Sequence, residues 1–233
     1  MTTVIDHLLA GSLEVTGRLV DASNATLYAE CTLGDEKMAV IYKPIAGERP
    51  LWDFPDGNLA HREYAAFLIS EYSGWKVVPP TVLREGPFGL GMVQQWIDID
   101  ESIDLALYYR EDNENLQRMA LFDAVINNTD RKIGHLLPVG DGSLFGCDHG
   151  VTFHEENKLR TVIWQFAERG LTHEEIQTLR DLVTRLKVES VALLQLITEI
   201  EFAALITRIN HLIETEIFPS PSEDWPAVPW PPF

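Results

Sequence analysis

Four polar features along the first two thirds of the chain carry the residue types that phosphate chemistry needs. Lys43 closes an apolar stretch, MAVIYKP. A cation fixed at a strand end can hold phosphate oxygens as a point charge. Glu63 lies in the next Ala/Leu/Glu-rich segment, LAHREYAAFLISEYSG, where a helical carboxylate can orient such a lysine through an ion pair. Residues 127–135 read NNTDRKIGH, directly after an apolar-periodic stretch. There Asp130 could orient an attacking hydroxyl, Arg131 or Lys132 could offset transition-state charge, and His135 follows on the same loop. The fourth feature is CDHG, residues 147–150, between LFG and VTF. Asp148 at a strand end, with a glycine close behind, suits a divalent metal beside phosphates. Each feature also has a plainer reading: a solvated lysine, an exposed helical glutamate, an Asx-turn at Asn128 or Asp130, a β-turn. His149 and His154 read as structural. Other chemistries fit worse. There is no G-x-S-x-G elbow, H-E-x-x-H pair or Walker A loop, and Gly89-x-Gly91 lacks a third glycine and opens no helix.

The elements that must position these residues follow from periodicity. Val4, Ile5, Leu8, Leu9 and Leu13 suggest a short helix between Val4 and Glu14. VTGRLV and TLYAECTL, either side of the polar turn DASNA, read as a hairpin, and MAVIYKP as a third strand. Asn58 can cap a helix that stops at Gly74. Two more strands flank the Gly86-Pro87 turn. After an acidic connector, DIDESID, Leu116, Met119, Ala120, Phe122 and Ile126 have helical spacing. HLLPVG and SLFGCDHGVTF are short strand-like pieces. Thr172 and Glu175 form a capping-box pattern, and a further apolar-periodic stretch runs from about Val191 to Ile217. The proline-rich tail, SPSEDWPAVPWPPF, cannot be helical and reads as an extended arm or a disordered one. The expected class is α+β in two lobes with a cleft between them: residues 1–97, mostly strands, and residues 98–233, mostly helical.

Composition narrows the partners. The 233 residues hold 36 Asp+Glu against 18 Lys+Arg, a formal net charge of −18, with no cluster of basic residues to override it. Such a surface repels nucleic-acid backbones and anionic headgroups, which speaks against a nucleic-acid partner and against stable membrane residence. Two cysteines make neither a disulfide framework nor a zinc site. No apolar run approaches the length of a membrane span and the N-terminus lacks a signal-peptide pattern, so a cytoplasmic location is expected.

The order Lys43, Glu63, TDRKIGH, CDHG resembles the phosphoinositide 3-/4-kinase-like branch of the kinase superfamily, and in particular a small actinobacterial family carrying that domain. The similarity spans roughly Gly17 to Phe153. It implies a two-lobed kinase-like fold that binds ATP with Mn²⁺ or Mg²⁺. On that resemblance Lys43 contacts the phosphates and pairs with Glu63, Asp130 is the catalytic aspartate, and Asp148 holds the metal. The turn Ser23-Asn24-Ala25-Thr26 stands where the phosphate-covering loop lies and could offer N–H groups and hydroxyls. Met92 to Ile97 stands at the adenine-binding hinge, with backbone near Gln94, Gln95 and Trp96 facing the base. The family's metal-binding Asn is His135 here, which predicts a preference for Mn²⁺, since imidazole suits Mn²⁺ better than Mg²⁺. The stretch after Asp148 has only Lys158 and Arg160 as cations, too few for an anionic lipid headgroup. The leading expectation is a phosphotransferase acting on a protein or small-molecule acceptor. The alternatives are a nucleotide-binding pseudokinase acting as a regulator, a lipid kinase, and a nucleotidyl transferase.

Overall fold

The computed structural model describes residues 3–19 and 24–233. The chain is α+β. It opens with a short helix, α1 (Val4–Ala10), capped by Thr3 in a reciprocal capping box with Asp6. Strand β1 (Ser12–Arg18) follows at once, so the helix expected to reach Glu14 stops four residues earlier. Gly11 makes the break: a Cβ there would lie 2.5 Å from Cys31 Sγ, so the chain turns close against the next strand.

Strands β2 (Leu27–Leu33), β3 (Glu36–Pro44), β4 (Thr81–Gly86) and β5 (Gly89–Gln95) complete a five-stranded antiparallel sheet of order β1-β2-β3-β5-β4. β3, the strand carrying Lys43, is therefore central, and Lys43 pairs with Met92 of β5. Between β3 and β4 lies α2 (Leu59–Ser73). Asn58 accepts from His61 N–H at 2.8 Å, and Gly74 ends the helix at φ 74°. Both caps match the sequence reading.

A one-turn helix, α3 (Leu105–Tyr108), leads to α4 (Glu114–Ile126). α4 ends on Asn127 in the left-handed region at φ 54°, which turns the chain into the NNTDRKIGH loop. The small hairpin of β6 (Leu136–Pro138) and β7 (Leu144–Gly146) then delivers the CDHG loop. Helices α5 (His173–Leu194) and α6 (Glu199–Thr215) complete the helical half. The single stretch expected from Val191 to Ile217 is broken, because Thr198 and Glu201 form a second capping box and start α6 afresh. The tail is extended, and Thr161 N–H and Ile133 N–H donate to the carbonyls of Ala227 and Pro232.

Two apolar clusters hold these parts. The smaller joins the sheet to α1 through Leu8, Cys31, Val40, Tyr42 and Val93. The larger joins α4, α5 and α6, and takes in Ala65, Phe67 and Ile69 from α2. α2 is thus anchored in the helical core while its Glu63 reaches the sheet. Among the described residues no helix is long and apolar enough to cross a membrane.

Candidate active site

Lys43 sits at the inner end of β3, with its ammonium drawn between two carboxylates. Nζ donates to Glu63 Oε1 at 2.5 Å and to Asp148 Oδ1 at 2.8 Å. Glu63 is 1% exposed, and its other oxygen accepts the His149 main-chain N–H at 2.8 Å. One buried carboxylate therefore ties α2 to the central strand and to the loop after β7. Burial pushes the Glu63 carboxyl up from its usual range, against the pull of Lys43. Burial also works against the Lys43 charge, but Asp148 and Glu63 outweigh it and hold the ammonium above its ordinary range. Lys43 in turn holds Asp148 well below the usual carboxylate range. Asp148 has φ 59°, a left-handed conformation that Asp tolerates better than most residues.

Asp130, His135 and Asp148 each offer a ligand atom, and these atoms lie within 4.8 Å of one another. His135 Nδ1 is 3.0 Å from the Asp130 carbonyl. Lys132 N–H also approaches Nδ1, at 3.5 Å; the shorter contact to the carbonyl favours the proton on Nδ1, with Nε2, 3.5 Å from Asp148 Oδ2, facing the cleft. Burial pushes the His135 imidazole down to about 4, against the opposing pull of Asp148, which keeps it neutral at physiological pH. A neutral imidazole and two carboxylates fit a divalent cation of the Mn²⁺ type. Burial raises the Asp130 carboxyl, with Lys132 opposing; Lys132 Nζ lies 3.4 Å from Asp130 Oδ2. Asp130 N–H also donates to Asn128 Oδ1 at 3.0 Å, so the Asx-turn is present beneath the polar cluster.

These groups line a cavity of about 240 Å³, together with Glu48. A larger one of about 670 Å³ shares Thr26, Lys43, His135 and Asp148 with it. Its remaining wall is largely apolar, from Leu19, Ile41, Ile97, Ile99 and Leu137. Together they make a small polar compartment that opens into a larger, mostly apolar one.

Several expected residues are placed differently. Arg131 is not in the cleft. It is fully buried and its fork grips Asp123, at 2.9 Å to Oδ2 and 2.8 Å to Oδ1. It also donates to His149 Nε2 at 2.7 Å and to the Cys147 carbonyl at 3.1 Å. A guanidinium committed in this way cannot meet transition-state charge; it braces the two loops. His149, likewise fully buried, is structural as expected. Of the expected phosphate-covering turn, Ser23 lies outside the described residues. Asn24 and Ala25 line the smaller cavity, with Ala25 N–H donating to the Gly47 carbonyl and Asn24 Oδ1 accepting Arg49 N–H at 2.8 Å. Among the described residues of this turn, Thr26 lines both cavities.

The expected hinge residues Gln94, Gln95 and Trp96 line the larger cavity, with several of their hydrogen-bonding groups already paired. The Gln94 side chain is buried and donates to Thr81 Oγ1, while Gln95 N–H and Trp96 N–H donate to the Pro80 and Ala39 carbonyls. Among the described residues, the next donors without a hydrogen-bond partner are the N–H groups of Ile97 and Asp98. Trp96 instead packs edge-on against Tyr28, with Nε1 bonded to Asp98.

Sequence reasoning missed three residues. Asp123, the partner of Arg131, looks like one polar position on an apolar helix. Glu48 caps α2 by accepting from Leu59 and Ala60 N–H, both at 2.8 Å. Phe233 reaches back to the cavity beside Gly134. None of the three carries a local signal, since even Glu48 reaches the start of α2 across the intervening loop.

No protein-family model matches the chain. Protein Rv2133c of Mycobacterium tuberculosis is 38% identical over 97% of this chain and 94% of its own length. The chain belongs to the family of Rv2133c. Among solved structures it is similar to the Golgi casein kinase, with TM-score 0.59 at 14% identity over 91% of this chain and 72% of that one. It is similar to hydra Fam20, with TM-score 0.56 at 12% identity over 91% and 87%. It is also similar to the Helicobacter pylori proinflammatory kinase CtkA, with TM-score 0.50 at 12% identity over 91% and 94%. These likenesses establish a kinase-like fold.

Proposed function

We propose that this chain is an ATP- and divalent-metal-dependent phosphotransferase acting on a hydroxyl of a protein or small-molecule acceptor. One observation carries the reading: Lys43 is held between Glu63 and Asp148 while Asp130, His135 and Asp148 converge on one point. In this reading His135 Nε2 and Asp148 hold the metal, which when bound supplies charge neutralisation for the phosphates. Lys43 holds a phosphate oxygen, and Glu63 keeps its ammonium in place. Thr26 and the shared wall orient the nucleotide, with Ile97 and Asp98 N–H groups toward the base. Asp130 accepts the proton of the acceptor hydroxyl as the new O–P bond forms and the bond to the leaving ADP breaks; its raised pKa suits that task. Lys132, beside Asp130, is the cation that meets the charge assigned on sequence to both Arg131 and Lys132.

Mn²⁺ is the preferred ion because imidazole stands among the ligands. The Golgi casein kinase, similar in fold, has been solved with Mn/ADP bound. The phosphoinositide-kinase-like branch remains the sequence resemblance, and the −18 charge argues against an anionic lipid as acceptor.

The test is intact-mass spectrometry after incubation with ATP and Mn²⁺ or Mg²⁺, with candidate acceptor proteins, for wild type and for Asp130→Ala and Asp148→Ala. A phosphate-sized increment in wild type alone supports the reading. An AMP-sized increment replaces it with nucleotidyl transfer. ATP binding with no increment on any acceptor and no ADP formed replaces it with a nucleotide-binding regulator.

A further inference from the structure

A second cavity lies in the helical half, behind the catalytic loop. Its volume is about 820 Å³, within the range of small-molecule sites. Its walls come from the end of α4, the loop after CDHG, the outer face of α6 and the segment that follows it. Leu159, Trp164, Leu212, Ile217 and Phe218 make much of the lining apolar. It shares no lining residue with the two cavities of the site described above.

Two charged side chains line this space, Glu155, which is exposed, and Arg208, which is buried. Arg208, on α6, is 8% exposed. Nη1 donates to the His154 carbonyl at 3.1 Å and Nε to the Val125 carbonyl at 3.4 Å. Nη2 is buried and, among the described residues, has no hydrogen-bond partner. Among the described residues no carboxylate forms an ion pair with this guanidinium, and Glu155 on the same wall is exposed. Glu201, on the same helix, is taken by Arg62 Nη2 at 2.6 Å. Two main-chain carbonyls are dipoles and leave the net charge uncompensated, which is costly for a buried cation. Burial accordingly pushes the Arg208 guanidinium down to about 10, with Glu201 opposing. The other buried arginines differ: Arg131 has Asp123, and Arg62 on α2 has Glu201.

We propose that this cavity binds a small amphipathic anion, its apolar body against Trp164, Leu159 and Phe218 and its carboxylate or phosphate head on the unpaired edge of Arg208. Charge complementarity selects the head, since only an anion supplies what the guanidinium lacks. The apolar lining selects the body, since a bare inorganic anion would leave that surface wet. The site also touches the catalytic loop. The His154 carbonyl that Arg208 holds accepts from Asn127 Nδ2 as well, at 3.0 Å, and Asn127 is the residue that turns α4 into that loop. The proposal concerns binding alone and stands apart from the phosphotransferase reading.

Isothermal titration of the full chain with octanoate, octyl phosphate and 1-octanol tests it. At least one anion binds at a single site about tenfold or more tighter than the alcohol, as a charge-assisted hydrogen bond to a buried group requires. Octanoate against octyl phosphate decides which head group the site takes. Thr207→Trp, on the exposed side of α6, fills the cavity and removes binding of both. Arg208→Gln removes the preference for the anion over the alcohol. Failure of both anions to bind at millimolar concentration overturns the proposal. So does equal binding of alcohol and anion, or unchanged anion affinity in Thr207→Trp, a variant that leaves the core intact.

Discussion

Replacing Asp123 by Ala should unfold this protein more easily than almost any other single change outside the apolar core. Asp123 and Arg131 are both fully buried, and the pair is bidentate. Removing the carboxylate strands a guanidinium that has no route to water. Breaking a buried pair in this way costs about 3–5 kcal/mol. A chain of this size loses about 2–4 °C of Tm per kcal/mol, so the expected fall is about 6–20 °C by thermal unfolding. Arg131→Met should also destabilise, because it leaves the Asp123 carboxylate buried and His149 Nε2 without its donor. Asp123→Leu combined with Arg131→Met removes both charges, and its loss should be well below the sum of the two single losses. Arg131→Lys should not rescue, since an ammonium cannot reproduce the fork that reaches Asp123, His149 and Cys147 together. The reasoning fails if Arg131→Met melts within about 2 °C of wild type while its turnover collapses. That pattern belongs to a cation working in the cleft, not to a brace.

Lys43→Met should lower ATP turnover by about 100- to 1000-fold in a coupled ADP-release assay, the usual effect of losing one preorganised electrostatic group. His135→Asn should shift the ratio of Mn²⁺- to Mg²⁺-supported turnover toward Mg²⁺, measured at saturating metal; an unchanged ratio removes His135 from the metal site. Gly91→Ala should cost about 1–3 kcal/mol in urea unfolding and weaken ATP binding, because the added Cβ would lie 2.5 Å from the Lys43 carbonyl and 2.7 Å from Pro44 Cα, displacing the strand that carries Lys43. Thr172→Ala should cost about 1 kcal/mol by loss of the α5 cap and leave ATP affinity unchanged, which separates global stability from effects on the site.

Much of the scaffold was visible in local chemistry. Asn58 and Gly74 bracket α2 as caps should, and Thr172 with Glu175 marks the start of α5. The same T-x-x-E pattern recurs at Thr198 and Glu201, yet unbroken apolar spacing from Leu193 to Ile197 hid the new helix start. At the site, Lys43, Glu63, Asp130, His135 and Asp148 are brought together where their order along the chain placed them. Arg131 shows what such an order leaves out. Neighbouring loop residues point to opposite sides, and only the position of Asp123 on α4 decides that Arg131 turns inward while Asp130 and Lys132 face the cleft. The hinge hydrogen bonds have a similar origin: the Gln95 and Trp96 N–H groups are taken by the Pro80 and Ala39 carbonyls across the sheet. The approach of Phe233 to Gly134 rests on long-range packing of the tail, which no local pattern encodes.

The central claim is that one metal–nucleotide complex is held by Lys43, His135 and Asp148. Electron paramagnetic resonance of Mn²⁺, titrated into the protein with and without a non-hydrolysable ATP analogue, tests it most directly. The account predicts one tight nucleotide-dependent Mn²⁺ site in wild type that is lost in Asp148→Ala and weakened in Lys43→Met. Mn²⁺–nucleotide binding that is absent from wild type, or equally strong in Asp148→Ala, would contradict it.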